Sequence, residues 1–320
     1  MTSLKSEKKN MATTHQVLSK LKKSLRPYYN RIRYTENYKK LNKAWLYLAR
    51  PLIWRYHSRS IRNLISQDVF REVRTFCIFI GHPRSGHTII GSLLDAHPDI
   101  ILSDELDALK YVDAGFSREQ IFHFILKRSR SLTGRKKSGR HGKQHLYLVP
   151  GQYQGRYEKI RVIGDKRGGS TTVRLSSKPK LFQQLRDTAE TEVKVILVTR
   201  NPYDNITTMF LRDDKPLTYM IENYFSACHT IHDIRQRIPD SDMFCVRHEA
   251  FVEEPSKYLH DICHFLGVET TADYLNACAG IVYKSPVKSR HETEWPPHLV
   301  DAVKARIAQF DFLEGYSYEN

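Results

Sequence analysis

The run GHPRSGHT, residues 81 to 88, holds two glycines with four residues between them, one arginine inside the loop, and a closing threonine. It follows TFCIFI, a short apolar stretch rich in β-branched and aromatic residues, and runs into HTIIGSLLDAHP. There Ile89, Ile90, Leu93 and Leu94 recur at helical spacing, and Pro98 ends the pattern. A strand, a glycine turn and a helix in this order make an anion cradle, because backbone N–H groups and the positive end of the helix converge on one oxygen-rich group. An ATP-binding Walker loop would carry lysine after its second glycine; His87 stands there instead, and the cation is Arg84 within the loop. Taken alone, the run also reads as a plain turn joining strand to helix.

A second constellation is VILVTRNPYDNITTMF, residues 195 to 210. Arg200 stands where a strand should end, and Pro202 is suited to the first turn of a helix. Thr208 follows Arg200 by eight residues, a little over two helical turns, so its hydroxyl can return to the arginine and share one anion with it. A guanidinium fork with a hydroxyl beside it suits a terminal phosphate. Two anion sites at the carboxyl ends of strands in one sheet lie where open α/β folds bind ligands, and a nucleotide phosphorylated at both its 5′ and 3′ positions would fill both.

With these motifs the chain resembles the sulfotransferases that use 3′-phosphoadenosine 5′-phosphosulfate (PAPS), whose 5′-phosphosulfate loop reads like PRSGHT and whose 3′-phosphate motif reads like TRNPYDNITTMF. The resemblance covers about residues 75 to 318 and includes VRHEAFVEEPSKYLHDICHFLG, KSRHETEW and FLEGYSYE. It implies sulfuryl transfer from PAPS to a hydroxyl or amine, with 3′,5′-bisphosphoadenosine (PAP) as the second product and no metal. It also implies nucleotide contacts from Arg84, Ser85, Gly86, His87, Thr88, Arg200 and Thr208. The run RSGHTIIGSLLDAHPDIILSDEL is most similar to the branch of tyrosylprotein and carbohydrate sulfotransferases, and matching that branch places the catalytic glutamate at Glu105. Asp104 is the neighbouring alternative, and SDELD also reads as an ordinary acidic loop. Lys166, in IGDKRGG, matches a family lysine that reaches the transferred group, or else it is an ion-paired lysine at a strand end.

The implied mechanism is in-line displacement, with Glu105 as general base and Arg84 and Lys166 neutralising the leaving group. His87 replaces the usual Thr or Ser; it either adds a donor to the 5′-phosphate or caps the helix start. Ser285, Lys288 and Arg290 resemble a segment that closes over the nucleotide, and their spacing does not decide which of them touches it. The acceptor is expected to bear a hydroxyl, with a carbohydrate or glycolipid among the candidates, and no spacing identifies it.

These residues need a scaffold. Strands are expected at 75–81, 160–166, 193–200 and 243–249, alternating with helices at HTIIGSLLDAHP, SREQIFHFILKRS, after Pro202 and at PSKYLHDICHFLG. That alternation predicts an α/β fold with a P-loop-type central parallel sheet flanked by helices, spanning 75–320. Residues 1–74 are expected to form a basic helical arm. RSLTGRKKSGRHGKQ has the composition of a surface loop. The five cysteines are scattered, with no CxxC pair, and no His or Cys cluster has metal-ligand spacing.

The net charge of +16 is not spread evenly. Residues 1 to 75 hold 18 Lys and Arg against 4 acids, and residues 127 to 144 hold eight basic residues and no acid. The body is therefore not a polyanion binder, and no nucleic-acid partner is expected. Neither a secretory signal nor a run of roughly 20 apolar residues is present, so a cytoplasmic, at most membrane-peripheral, location is expected. In NKAWLYLARPLIWRYHSRSIRNL, aromatic and cationic residues interleave. Such a segment either lies in a lipid headgroup layer or packs on the catalytic domain, and Pro51 should divide it. Two rivals remain: a P-loop kinase using ATP and magnesium, and a non-catalytic basic binding protein on the same fold.

Overall fold

A computed structural model describes residues 41, 44–52, 61–65, 68–133, 147–213 and 215–320. The chain divides into two compact units, Met1–Ile53 and Trp54–Asn320. In the first, residues 44–52 are helical, with Pro51 one residue before the described end. Of the rest of the arm, residues 41, 61–65 and 68–74 are described and the others are not; residues 134–146, which hold most of the basic loop, also lie outside the described residues.

The second unit is built on five parallel strands in the order β2-β3-β1-β4-β5. They are β1 (Thr75–Gly81), β2 (Ile100–Asp104), β3 (Val162–Lys166), β4 (Glu192–Thr199) and β5 (Met243–Arg247). β1 is buried along its whole length, as a central strand covered on both faces requires, and its seven residues are nearly continuously apolar. Alternation along it sends Cys77 and Phe79 into a cluster with Ile90, Leu94, Leu259 and Ile262, from helices His87–Leu94 and Pro255–Phe265. Phe76 meets Phe122 of helix Arg118–Thr133, with ring centroids 6.0 Å apart. A second cluster joins Tyr203, Ile206, Tyr224 and Phe225 to Trp295, Val303 and Phe310.

Four of these strands stand where the sequence pattern puts them, to within two residues at each end. The strand expected over 243–249 stops at Arg247 because His248 opens the helix His248–Glu253. β2 was not expected. Its five residues, IILSD, follow directly on the turn after Pro98 and are too few to show a period. Its partner β3 pairs with it from Ile100↔Val162 to Asp104↔Lys166, so the acidic run after Ser103 leaves the sheet beside Lys166. The five cysteines are free thiols, four of them buried.

Chain order and sheet order differ around β1: β3 lies on one side of it and β4 on the other. Since all strands are parallel, their carboxyl ends share one edge. Along that edge come Asp104 at the end of β2 with Glu105 after it, Lys166 at the end of β3, the Arg84 loop after β1, Arg200 after β4 and His248 after β5.

Candidate functional site

The loop after β1 is held from within by its own side chains. Ser85 is fully buried, and its hydroxyl donates to the His82 carbonyl at 2.8 Å. His82 lies flat on Tyr224, with ring centroids 3.9 Å apart, and its Nε2–H donates to the Tyr224 carbonyl at 3.0 Å. The His87 ring turns inward beneath the loop, where Nε2–H donates to the Ile80 carbonyl at 3.0 Å and Nδ1 lies 3.2 Å from Ser85 Oγ. Burial lowers both imidazoles, His82 to about 4 and His87 to about 3, so they are neutral at physiological pH. Of the two roles open to His87, a phosphate donor or a cap, neither describes its place: the helix N-cap is Gly86, and the ring braces the loop to β1.

Two glycines are required by geometry. Gly86 has φ 96°, and a Cβ there would fall 2.2 Å from His248 Nδ1. Gly81 has φ 135°, and its Cβ would fall 2.7 Å from the Val198 carbonyl and 2.8 Å from His87 Nε2. Arg84 takes φ 71°, a left-handed conformation in which its side chain leaves the loop exposed to solvent. Backbone strain of this kind persists where surrounding contacts over-determine it.

A cavity of about 410 Å³ opens at this loop. Arg84, Gly86 and Thr88 line one part, Arg200, Thr208 and Ser289 another, and Tyr147, His248, Tyr283 and Ser285 are on its wall. The Tyr147 and Tyr283 hydroxyls stand 3.1 Å apart.

Arg200 is buried, yet every partner of its guanidinium is neutral. Nη1 donates to the Arg84 carbonyl at 3.3 Å and to Thr208 Oγ1 at 3.2 Å, while Nη2 donates to the Val287 carbonyl at 2.8 Å and Ser289 Oγ at 2.9 Å. No carboxylate among the described residues forms an ion pair with it, although a buried guanidinium ordinarily has one. Thr208 and Ser289 hydroxyls lie 3.1 Å apart, so the arginine and two hydroxyls make one cluster facing the cavity. The helical return of Thr208 to Arg200 is therefore met. Ser289 was not among the expected residues; it lies between Lys288 and Arg290, and no local pattern distinguishes it from Ser285.

Arg290 is placed elsewhere. Its guanidinium is fully buried, takes Asp204 through Nε (3.0 Å) and Nη2 (2.7 Å), and donates from Nη1 to the Ser317 and Tyr318 carbonyls at 2.9 Å each. With its donors committed, Arg290 clamps the segment to the helix Pro202–Phe210 and thereby sets Ser289 against Arg200. Lys288 is exposed, and Ser285 is on the cavity wall.

Across the loop, Lys166 is buried and reaches three groups. It is ion-paired with Asp104, donates to Thr88 Oγ1 at 3.2 Å, and lies 3.7 Å from Glu105 Oε1. Of the two carboxylates, Asp104 is the closer partner, whereas the Glu105 side chain is 63% exposed. Among the described residues no cluster of His, Cys, Asp or Glu could hold a metal ion.

A family model described as "Sulfotransferase family" matches residues 77–273, well over half of the chain. The chain belongs to the sulfotransferase family. No curated protein matches it. Among solved structures, this sulfotransferase is similar to the sulfotransferase domain of a Synechococcus olefin synthase, at 19% identity and TM-score 0.43 over 73% of this chain and 88% of that one. A sulfotransferase from Alicyclobacillus acidocaldarius gives 16% identity and TM-score 0.42 over 75% and 96%. A mouse sulfotransferase complexed with PAP gives 15% and 0.44 over 75% and 84%. The family match spans the Arg84 loop, β2 with Glu105, Lys166, Arg200 and Thr208, and ends before Ser289.

Proposed function

We propose that this sulfotransferase moves a sulfuryl group from PAPS to a hydroxyl acceptor, and that the cavity between the Arg84 loop and Arg200 binds the donor nucleotide. The observation that carries the reading is the buried Arg200 guanidinium, whose close partners among the described residues are two carbonyls and two hydroxyls. A terminal phosphate would supply the missing charge, with the Thr208 and Ser289 hydroxyls beside the same group. The second anion position is the loop of Arg84, Gly86 and Thr88. Two separated anion sites in one cavity suit a nucleotide charged at both its 3′ and 5′ ends better than ATP, whose phosphates form a single chain.

Bound there, PAPS would supply a sulfur activated by its phosphate leaving group, with PAP as the second product. Glu105 accepts the acceptor's hydroxyl proton, while the acceptor oxygen forms the new bond to sulfur and the old sulfur–oxygen pair departs on phosphate. Glu105 is assigned this role over Asp104 because Asp104 is spent on Lys166 and Glu105 faces solvent, where an acceptor can reach it. Arg84 and Lys166 hold the charge that grows on the leaving group. The run RSGHTIIGSLLDAHPDIILSDEL supports a place near the tyrosylprotein and carbohydrate branch, and with it a sugar, lipid or peptide hydroxyl as acceptor.

Thermal shift separates this reading from its rivals. PAP without metal should raise the melting temperature, and Arg200→Ala should weaken PAP far more than adenosine 5′-phosphate. A larger shift from ATP with magnesium would favour a kinase, and no shift from any nucleotide would favour a binding protein.

The basic arm adds a location to this activity. Leu41, Trp45, Leu48 and Leu52 are exposed at helical spacing, in a segment where 18 basic residues stand against 4 acidic ones. That combination suits the headgroup layer of an anionic bilayer, where each basic residue contributes about 1 kcal/mol. The full chain should float with anionic vesicles at low salt and be released at high salt; a chain that never floats refutes the contact.

A further inference from the structure

The carboxylate proposed as general base sits on an unusual turn. Residues 104–107 carry two non-glycine residues in the left-handed region, Glu105 at φ 56° and Asp107 at φ 66°. L-residues avoid this region because Cβ crowds the carbonyl oxygen, so something outside the turn must hold it. Its main chain is tied to β3 where the Glu105 N–H donates to the Lys166 carbonyl at 3.0 Å. Arginines hold it from outside: Arg128 Nε donates to the Asp104 carbonyl at 2.8 Å, Arg167 Nη1 to the Glu105 carbonyl at 3.4 Å, and Arg174 pairs with the Asp107 carboxylate. From beneath, one buried side chain adds three further bonds. Asp165 Oδ1 accepts from Ser103 Oγ at 2.7 Å and from the Leu106 N–H at 3.0 Å, and Oδ2 accepts from the Ala108 N–H at 2.9 Å. The two amides flank Asp107, and Leu106 follows Glu105 directly. Asp165 is absent from the donor cavity and forms no ion pair among the described residues.

We propose that Asp165 is a positioning residue for sulfuryl transfer, fixing the 104–107 turn so that the Glu105 carboxylate stays beside Lys166 at the sheet edge. The inference rests on Glu105 being the base. The geometry demands an anion at this position. All three partners are donors and both oxygens are used, so an asparagine must turn its NH₂ toward either the Ala108 N–H or the Ser103–Leu106 pair. Asp165→Asn therefore keeps the shape and volume of the side chain while breaking one side of the hold. The donor contacts at Arg84, Thr88, Arg200 and Ser289 are not bonded to Asp165, so binding and turnover should separate.

Four variants decide it: Asp165→Asn, Ser103→Ala, Ala108→Pro and Glu105→Gln. Turnover is measured with labelled PAPS and the best of a panel of sugar, phenol and peptide hydroxyls; PAP affinity and hydrogen exchange at Leu106 and Ala108 are read on the same proteins. Asp165→Asn should lower kcat by about 10- to 100-fold, the scale of a misplaced reacting group, leave KM for PAPS and Kd for PAP within about twofold, and speed exchange at both amides. Ser103→Ala leaves both amide bonds intact and should keep kcat within about threefold. Ala108→Pro reaches the same turn without touching the carboxylate. It deletes the N–H to Oδ2 at the first position of helix Ala108–Asp113, where proline is tolerated, and pushes Asp107 out of its left-handed conformation. It should reproduce the loss of kcat with PAP affinity kept, and it serves if Asp165→Asn does not fold. Unchanged kcat in Asp165→Asn or Ala108→Pro, or kcat and PAP affinity falling together, would overturn the positioning role. Full activity in Glu105→Gln would instead overturn the base assignment beneath it.

Discussion

Lowering pH should loosen the donor loop, and His87 is where the effect can be measured. Its ring is packed so closely that a Cβ on Gly168 would fall 2.4 Å from its Cε1, and burial holds its pKa at about 3 against an ordinary 6.5. The depressed value means that, between these limits, the unfolded chain binds a proton that the native protein refuses. Stability from this site is therefore complete above the unfolded value and is lost as pH falls through 6.5 toward about 3. At about pH 5 the loss amounts to ~2 kcal/mol, from ~1.36 kcal/mol per unit over the ~1.5 units below the unfolded value. Protonation would create one new donor, Nδ1–H toward Ser85 Oγ at 3.2 Å, but a hydrogen bond of about 1 kcal/mol does not cover that desolvation.

The test compares wild type with His87→Gln, whose amide can still donate to the Ile80 carbonyl but does not titrate. Other groups act in both proteins. His82 and His248, lowered to about 4 by burial, add acid sensitivity, whereas Asp95, raised to about 8 by burial, has the opposite sign and gains stability as pH falls. Taking the difference between the two proteins cancels all three. In melting curves at about pH 7.5 and about pH 5, wild type should lose roughly 4–8 °C more than His87→Gln, the equivalent of ~2 kcal/mol for a domain of this size. Equal losses in the two proteins would refute the assignment of His87 as a buried neutral brace.

Arg84→Ala should lower kcat by at least about 100-fold while PAP still stabilises the fold, since the cation acts on charge that develops during transfer; a kcat near wild type would remove Arg84 from the chemistry. Gly86→Ala places a methyl 2.2 Å from His248 Nδ1 at φ 96°. It should abolish the PAP-induced thermal shift, and an unchanged shift would show that the loop tolerates rearrangement there.

What could be read without the structure was whatever local chain geometry decides. The Gly81-to-Thr88 loop lies between a strand and a helix that announce themselves by apolar run and helical period, and Arg200 and Thr208 meet because the helix Pro202–Phe210 begins two residues after Arg200 and carries Thr208 back beside it. Neither depends on a distant part of the chain. The other half of the site does. β2 is five residues long and becomes a strand only because β3, some 60 residues later, offers it a parallel edge; that pairing is what brings Asp104 and Glu105 to Lys166. Likewise Ser289 reaches Arg200 because the buried Arg290–Asp204 pair pins its segment to a helix 86 residues earlier. The same pair makes a clamp of Arg290, one of three residues in a segment that by resemblance was expected to close over the nucleotide. His87 shows the limit most plainly. Its position in the loop suggested an outward role, and its direction was decided by space under the loop, which only β1, Gly168 and the packed sheet supply. Periodicity and spacing act over one or two turns of chain, whereas burial and ion pairing act through space, and a sequence records the second only after the strands have been brought side by side.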